Sequence, residues 1–260
     1  MKYSRQILLY LLLGLASYLL FLLFTLPATT VYGIAAERGW IPETIEAQGL
    51  SGTLWSGQAT HLRIRQLQVQ QVQWQFQPSQ LWRAQARYAV SFRHPQGQGN
   101  GTLAFRFRSV DVYTVRAELP AAEVARAVAT IPLILEGQML LDAPRLRWNY
   151  AARLIEAEGV LGWLNAAAGF PRPQPLGDVR ADVHTEDDGT LHAVVRDQNG
   201  ALGVQGVMVW YPDDRYEVQI DLEPNQSMSR ELHAVLRLLA SQGPDGQYQL
   251  RYSGQLGPYH

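Results

Sequence analysis

Few side chains in this sequence have the types and spacing that chemistry requires. His184 and His192 flank the turn segment Glu186-Asp187-Asp188-Gly189. If Val183 faces Ala193 across that turn, the two imidazoles face each other on the polar side of a hairpin with Asp182 nearby, which could begin a metal site. A zinc centre needs three or four ligands backed by supporting groups, so the pair reads instead as solvated strand residues. Asp187-Asp188, Asp213-Asp214 and Glu186 are paired carboxylates, but all sit in turns, where aspartate makes local hydrogen bonds. Ser51-Gly52 and Ser56-Gly57 have the composition of a nucleophile elbow without a helix pattern behind them. Gly-x-Ser-x-Gly, phosphate-loop and His-Glu-x-x-His patterns are absent. The chain has no cysteine, and Lys2 is its single lysine, which excludes disulfide, thiolate and Schiff-base chemistry from everything that follows. The residues therefore point to no enzyme, no catalytic residue, no metal ligand and no cofactor.

The elements around these residues explain more. Ile7 to Leu26 is a run of 20 residues without a charge, dominated by Leu, Phe and Tyr. As a helix it spans about 30 Å, the thickness of a bilayer's hydrocarbon core. Lys2 and Arg5 precede it and Glu37, Arg38, Glu43 and Glu46 follow, so the positive-inside bias leaves residues 1–6 in the cytoplasm, 7–26 in the membrane and the remainder exported. A cleaved signal peptide is the rival; its apolar core would be shorter, and Leu26-Pro27-Ala28 is a poor cleavage site. The net charge of −1, with no clustered positive face, excludes nucleic acid as a partner.

After a juxtamembrane segment (27–45), period-two alternation dominates. Leu62 to Phe76 alternates with phase slips at Arg65-Gln66 and Gln70-Gln71, the places for a bulge or a corner between strands. Leu54 and Trp55 read as strand residues between two glycine bends. Val112 and Val115 continue the pattern less cleanly. Pro120 and the alanines after it predict a short helix, a joint (120–130) between a first β lobe (46–119) and a second (131–260). Glu156-Ala157-Glu158-Gly159-Val160-Leu161-Gly162 echoes Glu46-Ala47-Gln48-Gly49-Leu50-Ser51-Gly52 with Glu, Ala, Gly and Gly in register, which leaves open a division into two similar lobes. Pro171, Pro173 and Pro175 read as a stiff connector.

Farther on, Val183 opposite Ala193 makes Asp187-Asp188-Gly189 a three-residue loop with Gly189 left-handed. Asn199-Gly200 predicts a two-residue hairpin pairing Val195 with Val204 and Leu191 with Met208. Pro212-Asp213-Asp214 turns the chain into Tyr216, Val218, Ile220 and Leu222. Leu232, Val235, Leu236 and Leu239 predict an amphipathic helix near 229–240, and Tyr248, Leu250 and Tyr252 a last strand. The fold class is mainly β: one N-terminal transmembrane helix, then a mostly antiparallel, curved sheet with a few short helices.

Gly52-Thr53-Leu54-Trp55-Ser56-Gly57, followed by Trp74 within Val72-Gln73-Trp74-Gln75-Phe76-Gln77-Pro78 and then Leu81-Trp82, resembles the signature region of the protein N family of the bacterial type II secretion system, also called general secretion pathway protein N. The layout of basic start, anchor and β-rich exported domain is similar too. The resemblance implies a non-enzymatic accessory in the cell inner membrane, attached through residues 7–26, with a periplasmic domain and other secretion-system components as partners in exporting folded proteins across the outer membrane. It also implies a structural role for Gly52, Thr53, Leu54, Trp55, Gly57, Trp74 and Pro78. The family's periplasmic domain is similar to AsmA-like envelope proteins, whose curled sheets form grooves, some carrying lipid. A lipid-binding or lipid-handling module is therefore the alternative, and a continuous apolar groove is its discriminating feature.

Overall fold

The structure, a computed structural model, describes residues 2–42, 44–128, 134–149, 154–169, 172–198, 202–224, 241–242 and 247–255. It opens with helix α1 (Lys2–Thr25). The side chains described there are Ile7 and Tyr10 through Thr25, and every one is exposed. Over the described residues no helix is long and apolar enough to cross a membrane. Pro27 is extended, with φ −65° and ψ 140°, and starts a second helix, α2 (Ala28–Glu37). Its fixed φ and missing N–H suit a helix start and end any continuation of the first. Tyr32 on α2 pins the following chain: its hydroxyl donates to the Ile45 carbonyl and accepts from the Ala47 amide.

Beyond the helices runs one antiparallel sheet. Its strands are β1 (Ile45–Gln48), β2 (Ser51–Gly52), β3 (Ser56–Ile64), β4 (Leu67–Gln77), β5 (Ala86–His94), β6 (Gly97–Phe105), β7 (Ser109–Pro120), β8 (Ile134–Asn149), β9 (Leu154–Gly169), β10 (Gln174–Thr185), β11 (Leu191–Gln198), β12 (Leu202–Trp210), β13 (Arg215–Pro224), β14 (Ser241–Gln242) and β15 (Tyr248–Gln255). The sheet is a meander from β1 beside β3 to β13, then β15 and β14; β2 pairs only with β3. Its two edges, β1 and β14, do not pair with each other, so the sheet is open.

Bulges curve it. Gln71 has φ +49° where the β4–β5 register shifts between Gln70 and Gln73, and Thr114 has φ +49° opposite the β6–β7 shift between Asn100 and Thr102. Each extra residue bends its strand and restores the apolar face after a change of phase, which is why Val115 follows Val112 at an odd spacing. Of the two slips in the glutamine-rich stretch, Gln70-Gln71 is such a bulge. Arg65-Gln66 is a corner instead, the tip of the β3–β4 hairpin, with Ile64 facing Leu67.

A short helix, α3 (Ala121–Val128), follows the last residue of β7. It lies against β7, β8 and, several strands back, β4. Beneath it β7 and β8 stay paired from Ser109 with Asn149 to Pro120 with Gln138, so the sheet passes α3 unbroken. Two apolar clusters lie far apart on this one sheet. Ala59, Val69 and Val72 pack with Trp74, Val90 and Phe92 near its start; Val195, Val204, Leu222 and Tyr248 pack with Val179 and Ile220 near its end. The echo between residues 46–52 and 156–162 is not a shared backbone: Gly49, in the bend after β1, and Gly52, in β2, have positive φ, whereas Gly159 and Gly162 lie inside β9 without it.

Register agrees with alternation in most of the C-terminal half. Val183 faces Ala193, Glu186 and Thr190 close a loop over Asp187-Asp188-Gly189, and Gly189 has φ +85°. The turn at Pro212-Asp213-Asp214 is built alike, with Tyr211 and Arg215 closing it and Asp214 at φ +65°. One pairing differs. Leu191 faces Trp210 and Val195 faces Gly206, two residues away from the pairing that an Asn199-Gly200 turn dictates. A two-residue shift leaves every side chain on its own face, so alternation cannot separate the two registers. Pro175 lies inside β10 rather than in a connector, pairing with Ala167 beside a bulge, where a missing N–H is tolerated. Residues 199–201 and the helix expected near 229–240 lie outside the described residues.

Candidate functional site

The segment from Gly52 to Gly57 is the tip of a hairpin. Gly52 faces Gly57, the Thr53 amide donates to the Ser56 carbonyl at 2.8 Å, and Leu54 and Trp55 form the turn rather than a strand. The glycines are dictated by crowding. Gly52 has φ +86°, and a Cβ there would stand 2.5 Å from the Ser56 carbonyl oxygen. A Cβ on Gly57 would stand 2.5 Å from the Trp74 ring and 2.6 Å from the Ser51 oxygen. Trp74 thus lies over Gly57, and its indole donates to the Thr53 carbonyl at 3.2 Å, tying β4 to the turn.

This tip grips the end of α1. The Trp55 indole donates to the Leu23 carbonyl at 2.7 Å and the Leu54 amide to the Leu26 carbonyl at 3.0 Å, while Pro27 and Thr53 form an isolated bridge. The last four carbonyls of a helix have no partner within it. The hairpin supplies one to Leu23, and the Thr25 hydroxyl bonds those of Phe21 and Leu22.

Aromatic rings extend the grip across the sheet. Phe24 of α1 meets Trp55 at 5.7 Å between centroids, Trp55 meets Phe76 at 4.7 Å, Phe76 meets Tyr88 at 5.2 Å and Tyr88 meets Phe105 at 6.0 Å. Tilted and edge-on pairs at these separations are favourable. Burial pushes the Tyr88 phenol up, keeping a neutral ring in the row. Along the same end, Phe105 pairs with Val110, Val110 with Trp148, and Trp148 with Ile155. Pro78 opens a short 3₁₀ turn (Pro78–Arg83) at this end, with Gln77 extended before it. Sequence reasoning singled out Trp55 and Trp74 but missed Phe24, Tyr88 and Phe105. Their signal was aromatic residues at the same end of successive strands.

The other candidates for chemistry are dispersed. His184 faces His192, with the rings stacked at 5.6 Å, and His192 lies 3.7 Å from Glu186. Asp182 is engaged by Arg180 and Arg196 instead, and its hydrogen bond from Arg180 holds its carboxyl below the usual range. Among the described residues no group of three or more histidines and carboxylates could hold a metal ion. Sequence reasoning also missed Asp111. It is fully buried in β7 and meets Arg147 at 2.6 Å, Arg106 at 3.2 Å and Arg145 at 4.0 Å. The Asp111 hydrogen bond raises the Arg147 guanidinium further. A concavity of about 630 Å³ beside the hairpin is lined by the amides and hydroxyls of Ser51, Gln58, Gln73, Gln75, Ser91 and Asn100 together with the apolar Trp74, Ala89 and Val90. This mixed lining is not the continuous apolar groove that lipid chains require.

The comparison with known families decides the identity of this arrangement: residues 43–251 match the family model described as "Type II secretion system (T2SS), protein N". The chain belongs to the type II secretion system protein N family. It is similar to the type II secretion system protein N of Aeromonas hydrophila, 28% identical over 251 residues, covering 94% of this chain and 96% of that protein. Those of Vibrio cholerae, 25% identical over 224 residues (83% and 87%), and Klebsiella pneumoniae, 26% identical over 246 residues (92% and 92%), are similar too. No solved structure matches the chain. The protein N family match begins ahead of β1 and takes in the whole hairpin grip apart from α1, Leu26 and Pro27.

Proposed function

We propose that this protein is an accessory component of the type II secretion system, held in the inner membrane by residues 7–26 with its N-terminus in the cytoplasm and its sheet in the periplasm. It serves there as a scaffold for other components rather than as an enzyme. Family membership supports the place in secretion. The observation that carries the membrane reading is α1, whose apolar side chains from Tyr10 to Phe24 are exposed on every side. A helix whose described side chains carry no charge, and which the sheet touches at its last turn alone, belongs in lipid, and Lys2 and Arg5 set its direction. In this reading Gly52, Thr53, Leu54, Trp55, Gly57, Trp74 and Pro78 are structural, and together they orient the sheet on the membrane helix.

The test is crosslinking in cells from photoreactive residues placed on exposed sheet positions such as Gln68 and Gln219. Other secretion components captured at those positions support the scaffold. Capture of lipid alone, from a chain that fractionates with the inner membrane, overturns it in favour of lipid handling.

A further inference from the structure

Loops at the α1 end of the sheet are segregated by charge according to their distance from α1. The first two beyond the hairpin grip are basic and aromatic. Between β4 and β5, Leu81 and Trp82 are 53% and 75% exposed, and the Arg83 guanidinium lies 4.4 Å over the Trp82 ring. Between β6 and β7, the Arg106 amide closes a turn on the Ser109 carbonyl, leaving Phe107 at the tip 89% exposed with Arg108 over its ring. Residues 78–85 and 105–109 contain three arginines and no acid. Farther along the meander, the two loops at this same end beyond β10, between β10 and β11 and between β12 and β13, are acidic: Glu186-Asp187-Asp188 and Asp213-Asp214.

We propose that the sheet docks on the membrane by this end. Trp82 and Phe107 insert at the headgroup level of an anionic phospholipid surface, Arg83 and Arg108 bind lipid phosphates, and the acidic loops beyond β10 stay in water. The inference rests on the membrane reading of α1. Continuity argues for lipid as the occupant: the ring row from Phe24 to Phe105 joins the last turn of α1 to the strand that ends two residues before Phe107. Tryptophan and arginine concentrate at the interfacial layer because a ring can lie among acyl chains while an attached or adjacent polar group reaches water or phosphate. An exposed tip ring with arginine stacked on it matches that layer, and each basic side chain near an anionic surface adds attraction that an acidic loop would reverse.

The absence of cysteine makes the test direct. Single cysteines replace Trp82, Phe107, Gln96, Asp187 or Leu15 in the full chain and are spin-labelled in vesicles of phosphatidylethanolamine and phosphatidylglycerol. Accessibility to oxygen is compared with that to a water-soluble nickel chelate. Labels at 82 and 107 are expected to favour oxygen, as at 15, and labels at 187 and at 96, on the opposite end of the sheet, to favour nickel. Positions 82 and 107 favouring nickel while 15 favours oxygen overturns the docking and leaves the anchor standing. Nickel access at 15 overturns both. Exclusion of both reagents at 82 and 107 would show a protein contact there and also overturn the lipid docking.

Discussion

The Trp55 indole nitrogen donates a 2.7 Å hydrogen bond to the Leu23 carbonyl, so a hairpin tip closes the end of a helix thirty-two positions earlier in the chain. Trp55→Phe keeps the ring against Phe24 and Phe76 and removes only the donor. The expected loss is about 1 kcal/mol, the net worth of one hydrogen bond. Trp55→Ala loses both ring contacts as well and should cost about 2–3 kcal/mol, below the range of about 3–5 kcal/mol for truncating a fully buried aromatic, because this one is half-buried. Thermal unfolding of the full chain in detergent measures both; equal midpoints for the two variants would show that the ring contributes nothing.

Gly57→Ala places a methyl group against the Trp74 ring and the Ser51 oxygen. Overpacking of this kind costs about 1–3 kcal/mol. Adding Trp74→Leu should recover part of that loss and not all of it, since the Ser51 contact is backbone. A double-mutant cycle on unfolding free energies reads the coupling, and strict additivity would contradict the stacking of Trp74 on Gly57.

Asp111→Asn leaves Arg147, Arg106 and Arg145 converging on a buried neutral group. Removing one partner of a buried ion pair costs about 3–5 kcal/mol; here the lower end applies because the three arginines reach solvent. Chemical denaturation checks it, and a change below about 1 kcal/mol, the worth of a surface pair, would show that the network is not formed.

Acid should weaken the β10–β13 region first. Asp182 is lowered by its hydrogen bond from Arg180, Asp188 by the Thr190 amide and Asp213 by its hydrogen bond from Arg215. A carboxylate lowered in the folded state contributes stability that is complete above its unfolded value of about 3.9 and drains as pH falls through the folded value. The unfolding midpoint is therefore expected to hold from neutral pH to about 5 and to drop below about 4. Asp188→Asn should shallow that acid limb, measured as midpoint against pH; an unchanged slope would show that Asp188 carries none of it.

Exchanging residues 7–20 for an unrelated membrane-spanning sequence should leave secretion intact, because among the described residues the hairpin tip meets Leu23, Phe24, Leu26 and Pro27, all beyond the exchanged segment. Extending the exchange through Pro27 should impair it while the protein still reaches the membrane. Cargo in the culture medium is the measurement, and full secretion from the longer exchange would reduce the grip to a passive joint.

Much of the sheet was legible because period-two patterning states which residues share a face, and turn residues state where strands reverse. Val183 against Ala193 follows from parity plus Gly189, which needs the left-handed region. The β11–β12 register was not legible, since a shift of two residues changes no face. The hairpin tip was misread because Leu54 and Trp55 carry apolar side chains that usually mean strand; here they face a helix end, a contact between distant segments that no local pattern encodes. Asp111 was invisible for the same reason, as its arginine partners Arg145 and Arg147 lie on another strand.

The helix is joined to the sheet at β3 and β4, close to one edge, rather than at its middle. From β3 to β14 the strand order counts twelve steps, about 58 Å along the arc at 4.8 Å each. The far strands are therefore carried as a cantilever, fixed at one end. A small rotation at Trp55 would sweep β13 and β15 through a wide path, giving the joint at the end of α1 a long lateral reach.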